Sequence, residues 1–115
     1  MTRGTTETLE RAGLRVVGIS TSGEGAIEDV RVHTPDVALV DLRMPGLSGA
    51  DVARAVCARY PRTRVVILSA YADAEIVQLA IAAGATGYVT KDSSPEEIVR
   101  AVYRAAEGEL TLPAR

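Results

Sequence analysis

Tryptophan and phenylalanine are both absent from this 115-residue chain, and four tyrosines are its only aromatic residues. A core without large aromatic anchors must be built from Val, Ile, Leu and Ala, which favours thin, closely packed layers of helix and sheet. One cysteine, Cys57, excludes an internal disulfide and a zinc site built on cysteines. There is also one histidine, His33. No apolar run is long enough to span a membrane, and nothing at the start reads as a signal peptide, so a cytoplasmic domain with no membrane partner is expected. A large excess of one sign of charge is missing too: the net charge of -2 gives no electrostatic reason for these residues to bind nucleic acid. The length suits one compact domain, with no repeat, low-complexity tract or linker to divide it.

What is present is an alternation of two periodicities. Residues 36–41 (DVALVD) and 64–70 (RVVILSA) are nearly continuous in Val, Ile and Leu, as expected of parallel strands covered on both faces. Residues 14–20 (LRVVGIS) read as another strand, and residues 86–91 (TGYVTK) as a weaker one. Helix signals fall between them. Ser22 is placed to cap a helix that stops before Pro35, and Ser48 with Asp51 forms a capping pair for a helix to about Arg59. Asp73 stands at the start of an Ala-rich helix that Gly84 would end. In "SPEE", Ser94 is the cap, Pro95 the first helical residue and Glu97 the capping-box partner. The helix that follows carries Ile98, Val102 and Ala105 on one stripe and ends near Gly108. Strands alternating with helices imply right-handed crossovers and an open parallel sheet with helices on both sides.

In such a sheet, ligands bind beyond the C-terminal ends of the strands. Three polar side chains occupy that end of successive strands: Asp41, Ser69 and Lys91. Singly, each has an ordinary explanation as a turn former, a strand-end hydroxyl or a solvated charge. Together they make a phosphoryl site. A carboxylate can attack phosphorus, a hydroxyl can donate to a phosphoryl oxygen, and an ammonium can neutralise developing charge.

The stretches "DVALVDLRMPGLSG", "VVILSAYAD" and "AIAAGATGYVTKDSSPEEIVRAV", in that order and separation, resemble the receiver domain of bacterial two-component response regulators. The likeness is greatest to the subfamily with a LuxR-type helix-turn-helix output domain, and it covers residues 5–112. It implies a flavodoxin-like, doubly wound parallel sheet in three α/β/α layers. Asp41 would be the phosphoacceptor for a sensor histidine kinase, with Ser69 and Lys91 reporting its phosphorylation. Tyr88 matches the aromatic switch residue, and the Arg43 carbonyl matches a backbone ligand of the family's Mg2+. Pro45 and Gly49 match the turn shaping that loop. The resemblance places a partner-binding surface on the helix from Asp73, the 86–91 strand and the last helix, with Val77, Ile81, Tyr88 and Tyr103 as its candidates. DNA binding would belong to an output domain outside these residues.

The same pattern calls for an opening strand ending in two acidic residues that hold Mg2+ with the phosphoacceptor. The opening "MTRGTTETLERAGLRVV" matches only the later part of the first helix and then the second strand. The expectation is therefore four strands in a receiver-like domain over 1–115, with the first strand and the acidic pair missing and weak or absent Mg2+ binding. A lost start, a natively shortened receiver, and a swapped dimer or rearranged sheet are the alternatives. Impaired phosphorylation follows, and a phosphorylation-independent interaction or dimerisation module is the second reading. An aspartyl-phosphate phosphatase of the haloacid-dehalogenase kind would need an acid two residues after the nucleophile. Arg43 stands there, so a regulatory domain and not an enzyme is expected. Within the helix from Asp73, Ile76, Leu79, Ala80 and Ala83 form one apolar stripe and Val77 with Ile81 a second; one stripe suffices for the sheet, so the second is either exposed to a partner or buried as well. His33 reads as structural or solvated, and Cys57 as a small apolar filler.

Overall fold

The computed structural model describes residues 3–18, 20, 22–43, 47–70 and 73–112. Along them run α1 (Arg3–Arg11), α2 (Gly23–His33), β1 (Val37–Asp41), α3 (Gly49–Arg59), β2 (Arg64–Ser69), α4 (Ala74–Ala82), β3 (Gly87–Thr90) and α5 (Pro95–Ala106). The strands form a parallel sheet in the order β1-β2-β3. On one face α3 packs on β1 and β2, flanked by α2 and α4; on the other, α5 crosses all three strands and carries α1.

The unbroken apolar run of β2 follows from these layers. Val65 and Ile67 join Val30, Val52, Val56 and Tyr88 in the core on the α2–α3–α4 side. Val66 and Leu68 alternate to the other face and pack with Val89, Ile98, Ala101 and Ala105. The helix ends agree closely with the sequence. Ser48 with Asp51 and Ser94 with Glu97 are full capping boxes, and the Ser22 hydroxyl accepts from the Gly25 N–H. Asp73 occupies the expected N-cap position of α4 but makes no side-chain cap bond. Gly84 closes α4 at φ 107°, and a Cβ there would lie 2.6 Å from the Cys57 sulfur.

Two expectations are corrected. The described residues form three strands and not four, because residues 14–18 and 20 have no regular secondary structure and join no sheet. They line the opposite wall of a cleft of about 630 Å3 from β1. A ladder needs a neighbour one strand spacing away, about 4.8 Å, and the cleft separates these residues from the β1 edge. The second correction concerns α4. Leu79, assigned to the buried stripe, is 66% exposed, whereas Val77 and Ile81 pack against the core. Helix α4 is seated against α3 and β3 through both stripes at once, and that leaves the Leu79 edge in solvent.

Candidate functional site at the strand ends

The rim is assembled by backbone before any side chain acts. Strands β1 and β2 pair with Asp41 opposite Leu68, and β2 and β3 with Ser69 opposite Thr90. The Leu42 N–H donates to the Leu68 carbonyl (2.9 Å), and the Lys91 N–H to the Ser69 carbonyl (2.8 Å). Three strand ends are thereby locked at one level. The loop after β1 returns to this rim where the Gly49 N–H donates to the Leu42 carbonyl at 2.8 Å. A Cβ on Gly49 would come within 2.7 Å of the Asp41 carbonyl oxygen, so glycine permits the close approach that brings α3 to the rim.

On this frame the Lys91 ammonium lies 3.5 Å from Asp41 Oδ1. The carboxylate is 20% exposed and the lysine side chain 53% exposed. A contact this long, with the lysine half in solvent, is a loose ion pair worth at most about 1 kcal/mol. The lysine is therefore free to exchange one oxygen anion for another at little cost. Ser69 is buried at the adjacent strand end. The three residues singled out by the sequence thus share one rim. Arg43 is described, and it follows Asp41 on the loop, while Pro45 lies outside the described residues.

Tyr88 is fully buried within the core cluster, so it forms no part of an exposed face in this structure. Val77 and Ile81 are half-buried, for the packing reason given above. Tyr103 is exposed, and its hydroxyl donates to the Ala12 carbonyl at 2.6 Å, tying α5 to the end of α1. These four residues do not form one exposed patch.

Sequence reading passed over Asp29. It sits within α2, accepts a hydrogen bond from Ser20, and lines the cleft together with Asp41. A lone acid in a helix gives no sequence signal of that position. His33 is exposed with Nδ1 3.1 Å from the Asp29 carbonyl, in a structural role. The Cys57 thiol donates to the Gly84 carbonyl, and burial pushes its pKa up. Among the described residues, no group of three or more His, Cys, Asp or Glu could hold a metal ion. One carboxylate and the Arg43 carbonyl fall short of the oxygen set that Mg2+ takes, so the described residues do not fit that ion.

Comparison with known proteins adds the family. The model of the response regulator receiver domain matches residues 1–103. The chain belongs to the receiver domain family of response regulators. It is 44% identical over 106 residues to the probable transcriptional regulatory protein NarL of Mycobacterium tuberculosis, covering 91% of this chain and 49% of that protein. It is 36% identical over 99 residues to the nitrate/nitrite response regulator protein NarL of Escherichia coli, covering 86% of this chain and 46% of that protein. The chain spans about half the length of these curated relatives. The receiver domain structure of the putative response regulator NarL from Mycobacterium tuberculosis superposes with a TM-score of 0.89, covering 92% of this chain and 86% of that one. A LuxR-family two-component response regulator from Aurantimonas sp. gives 0.90 at 31% identity, covering 95% of this chain and 79% of that one. The fold is thus the flavodoxin-like receiver fold, a parallel sheet between helical layers. Among the described residues no helix is long and apolar enough to cross a membrane.

Proposed function

We propose that this receiver takes a phosphoryl group on Asp41 from a sensor histidine kinase and that the transfer is slow. The observation supporting the site is the Lys91 ammonium at 3.5 Å from the Asp41 carboxylate, with Ser69 buried at the neighbouring strand end. An Asp41 oxygen attacks phosphorus as the P–N bond of a phosphohistidine breaks, and the imidazole leaves with the electron pair and takes up a proton. The product is an acyl phosphate on Asp41. Lys91 neutralises phosphoryl charge as it leaves its loose pair with the carboxylate, and the Ser69 hydroxyl donates to a phosphoryl oxygen. Tyr88 acts as the switch residue that reads the change in Ser69, and the response is an altered association surface that includes α4 and α5. An acyl phosphate on a regulatory domain is a signal, so this reading gives the domain no turnover of its own.

Slowness follows from the donor set. With Asp41 and the Arg43 carbonyl alone, Mg2+ is held weakly, because it takes hard oxygen ligands in near-octahedral geometry. The same lack of a carboxylate cluster among the described residues favours a second reading, a degenerate receiver that works as an interaction or dimerisation module without phosphorylation. In either case the domain acts in the cytoplasm, and DNA is reached through an output domain of the type that the relatives' names as transcriptional regulators suggest.

The test is incubation with a small phosphodonor and with a phosphorylated histidine kinase, read by intact mass and peptide mapping. Slow modification at Asp41, barely changed by Mg2+ and abolished by Asp41→Asn, is the expected result. Rapid, Mg2+-dependent labelling of Asp41 overturns the slow-transfer reading. No labelling of Asp41 by either donor favours the interaction module.

A further inference from the structure

Residues 109–112 cover the outer edge of β3 through a single residue. The Thr111 N–H donates to the Thr86 carbonyl at 3.2 Å, and the Thr111 carbonyl accepts from the Tyr88 N–H at 2.9 Å, which brackets Gly87 in one isolated parallel bridge. Leu110 and Leu112 make no backbone hydrogen bond to another described residue. Upstream the chain is anchored firmly. Gly108 turns at φ 82°, and the Gly108 and Glu109 N–H groups donate to the Ala105 and Arg104 carbonyls at 2.9 and 2.8 Å. That pair of bonds closes the end of α5, so the cover hinges just after Glu109.

The side chains of this segment face the wrong way to hold it down. Thr111 is in register with Gly87, and residues opposite each other share a face of the sheet. A Cβ on Gly87 would lie 3.3 Å from a Val66 methyl, and Val66 belongs to the apolar layer beside α5. The Thr111 hydroxyl is accordingly buried, with no hydrogen-bond partner among the described residues. Its neighbours alternate to the other face, where Leu110 and Leu112 are 51% and 53% exposed. The polar side chain is turned in and the two apolar ones out, the reverse of the pattern that burial drives into place. An unpaired buried hydroxyl favours the state in which water reaches it, and the two backbone bonds of Thr111 are set against that cost.

We propose that residues 109–112 are a releasable strap on β3, opening as a local unit while the sheet stays folded, with the Thr111 hydroxyl weighting the balance toward release. Closed, the strap occupies the Thr86 carbonyl and the Tyr88 N–H. Open, it leaves both at the edge of the sheet, as an uncovered edge strand presents them. The strap is therefore a gate on the main chain of β3, set beside Tyr88, whose side chain is buried in the core. Openings of low cost belong to segments with few buried apolar contacts, and this one buries neither leucine. The gate needs no phosphoryl group on Asp41.

The test is native-state amide exchange on the whole chain, isotopically labelled, in urea concentrations below the unfolding transition. One opening frees the Tyr88 and Thr111 amides, so both are expected to be protected about a hundredfold or more less than the amides of β2. Their exchange is insensitive to urea, because a local opening exposes little surface, whereas exchange in β2 accelerates. Thr111→Val keeps the shape, removes the hydroxyl and slows both amides about fivefold or more. Thr111→Ser keeps the hydroxyl and does not slow them. Leu110→Ser combined with Leu112→Ser changes them by no more than about twofold. Equal protection and equal urea dependence of the Tyr88, Thr111 and β2 amides overturn the proposal, since the segment then opens only with the sheet. Exchange that is unchanged or faster in Thr111→Val also overturns it, as does strong acceleration in the double leucine variant, which would show that leucine packing holds the segment down.

Discussion

The two edges of the sheet are finished differently. Beyond β3, the tail lies alongside the strand: the Tyr88 N–H donates to the Thr111 carbonyl (2.9 Å), and the Thr111 N–H to the Thr86 carbonyl (3.2 Å). Beyond β1, the chain provides a wall at residues 14–18 but no ladder, and a cleft separates the two. The contrast teaches where the stability of this domain resides. The largest side chains with essentially no exposure (Val52, Val56, Val65, Val66, Ile67 and Tyr88) lie on β2, on β3, or on the helix between β1 and β2. The β1 side carries partly buried residues such as Val37 and Leu39. Exposed strand edges invite association unless they are covered, and here one short tail segment covers one of them.

That contrast can be broken at its strongest point first. Ile67→Ala opens a cavity in the centre of β2 and is expected to cost about 2–5 kcal/mol. Val16→Ala on the cleft wall is expected to cost less than about 1 kcal/mol. Urea unfolding of both variants measures the difference, and equal losses would show that the cleft side is as tightly packed as the β2 side. Next in size, Thr111→Pro removes the bond to the Thr86 carbonyl and uncovers part of the β3 edge. The expected loss is about 1 kcal/mol, with faster amide exchange along β3 and none of that change at β1. The smallest effect is electrostatic and touches neither edge ladder. Hydrogen bonds from the Ser48 backbone and hydroxyl hold the Asp51 carboxyl below its ordinary value of 3.8. The capping box therefore contributes its full stability above that value and loses it as pH falls through the lower folded-state pKa. Asp51→Asn should flatten that part of the acid limb of a Tm–pH curve slightly and leave neutral pH stability reduced by the loss of the cap alone.

Local chemistry made much of this legible. The β1 and β2 runs announced themselves because a strand buried on both faces has no polar alternation to show. The caps at Ser22, Ser48 and Ser94 were readable because a side-chain oxygen and the N–H it satisfies are three residues apart. Asp41, Ser69 and Lys91 could be assigned to one rim because parallel strands place their C-terminal ends together. Residues 14–18 and 20 were misread for the opposite reason. Their Val-rich composition records a preference for extended backbone, but a strand exists only where a neighbour lies at hydrogen-bonding distance. Leu79 was misassigned because periodicity finds stripes without saying how far the contact with α3 and β3 extends around the helix.

The sequence by itself determined most of the elements, their ends and the residue types at the rim, since each depends on contacts a few residues apart or on a repeating period. Tertiary structure alone decided which edge of the sheet is closed and that Tyr88 is interior. It also decided that Asp29 borders the same cleft as Asp41, and that Lys91 stands 3.5 Å from Asp41. Those facts join residues tens of positions apart, and only the packing of helices on the sheet sets their distances.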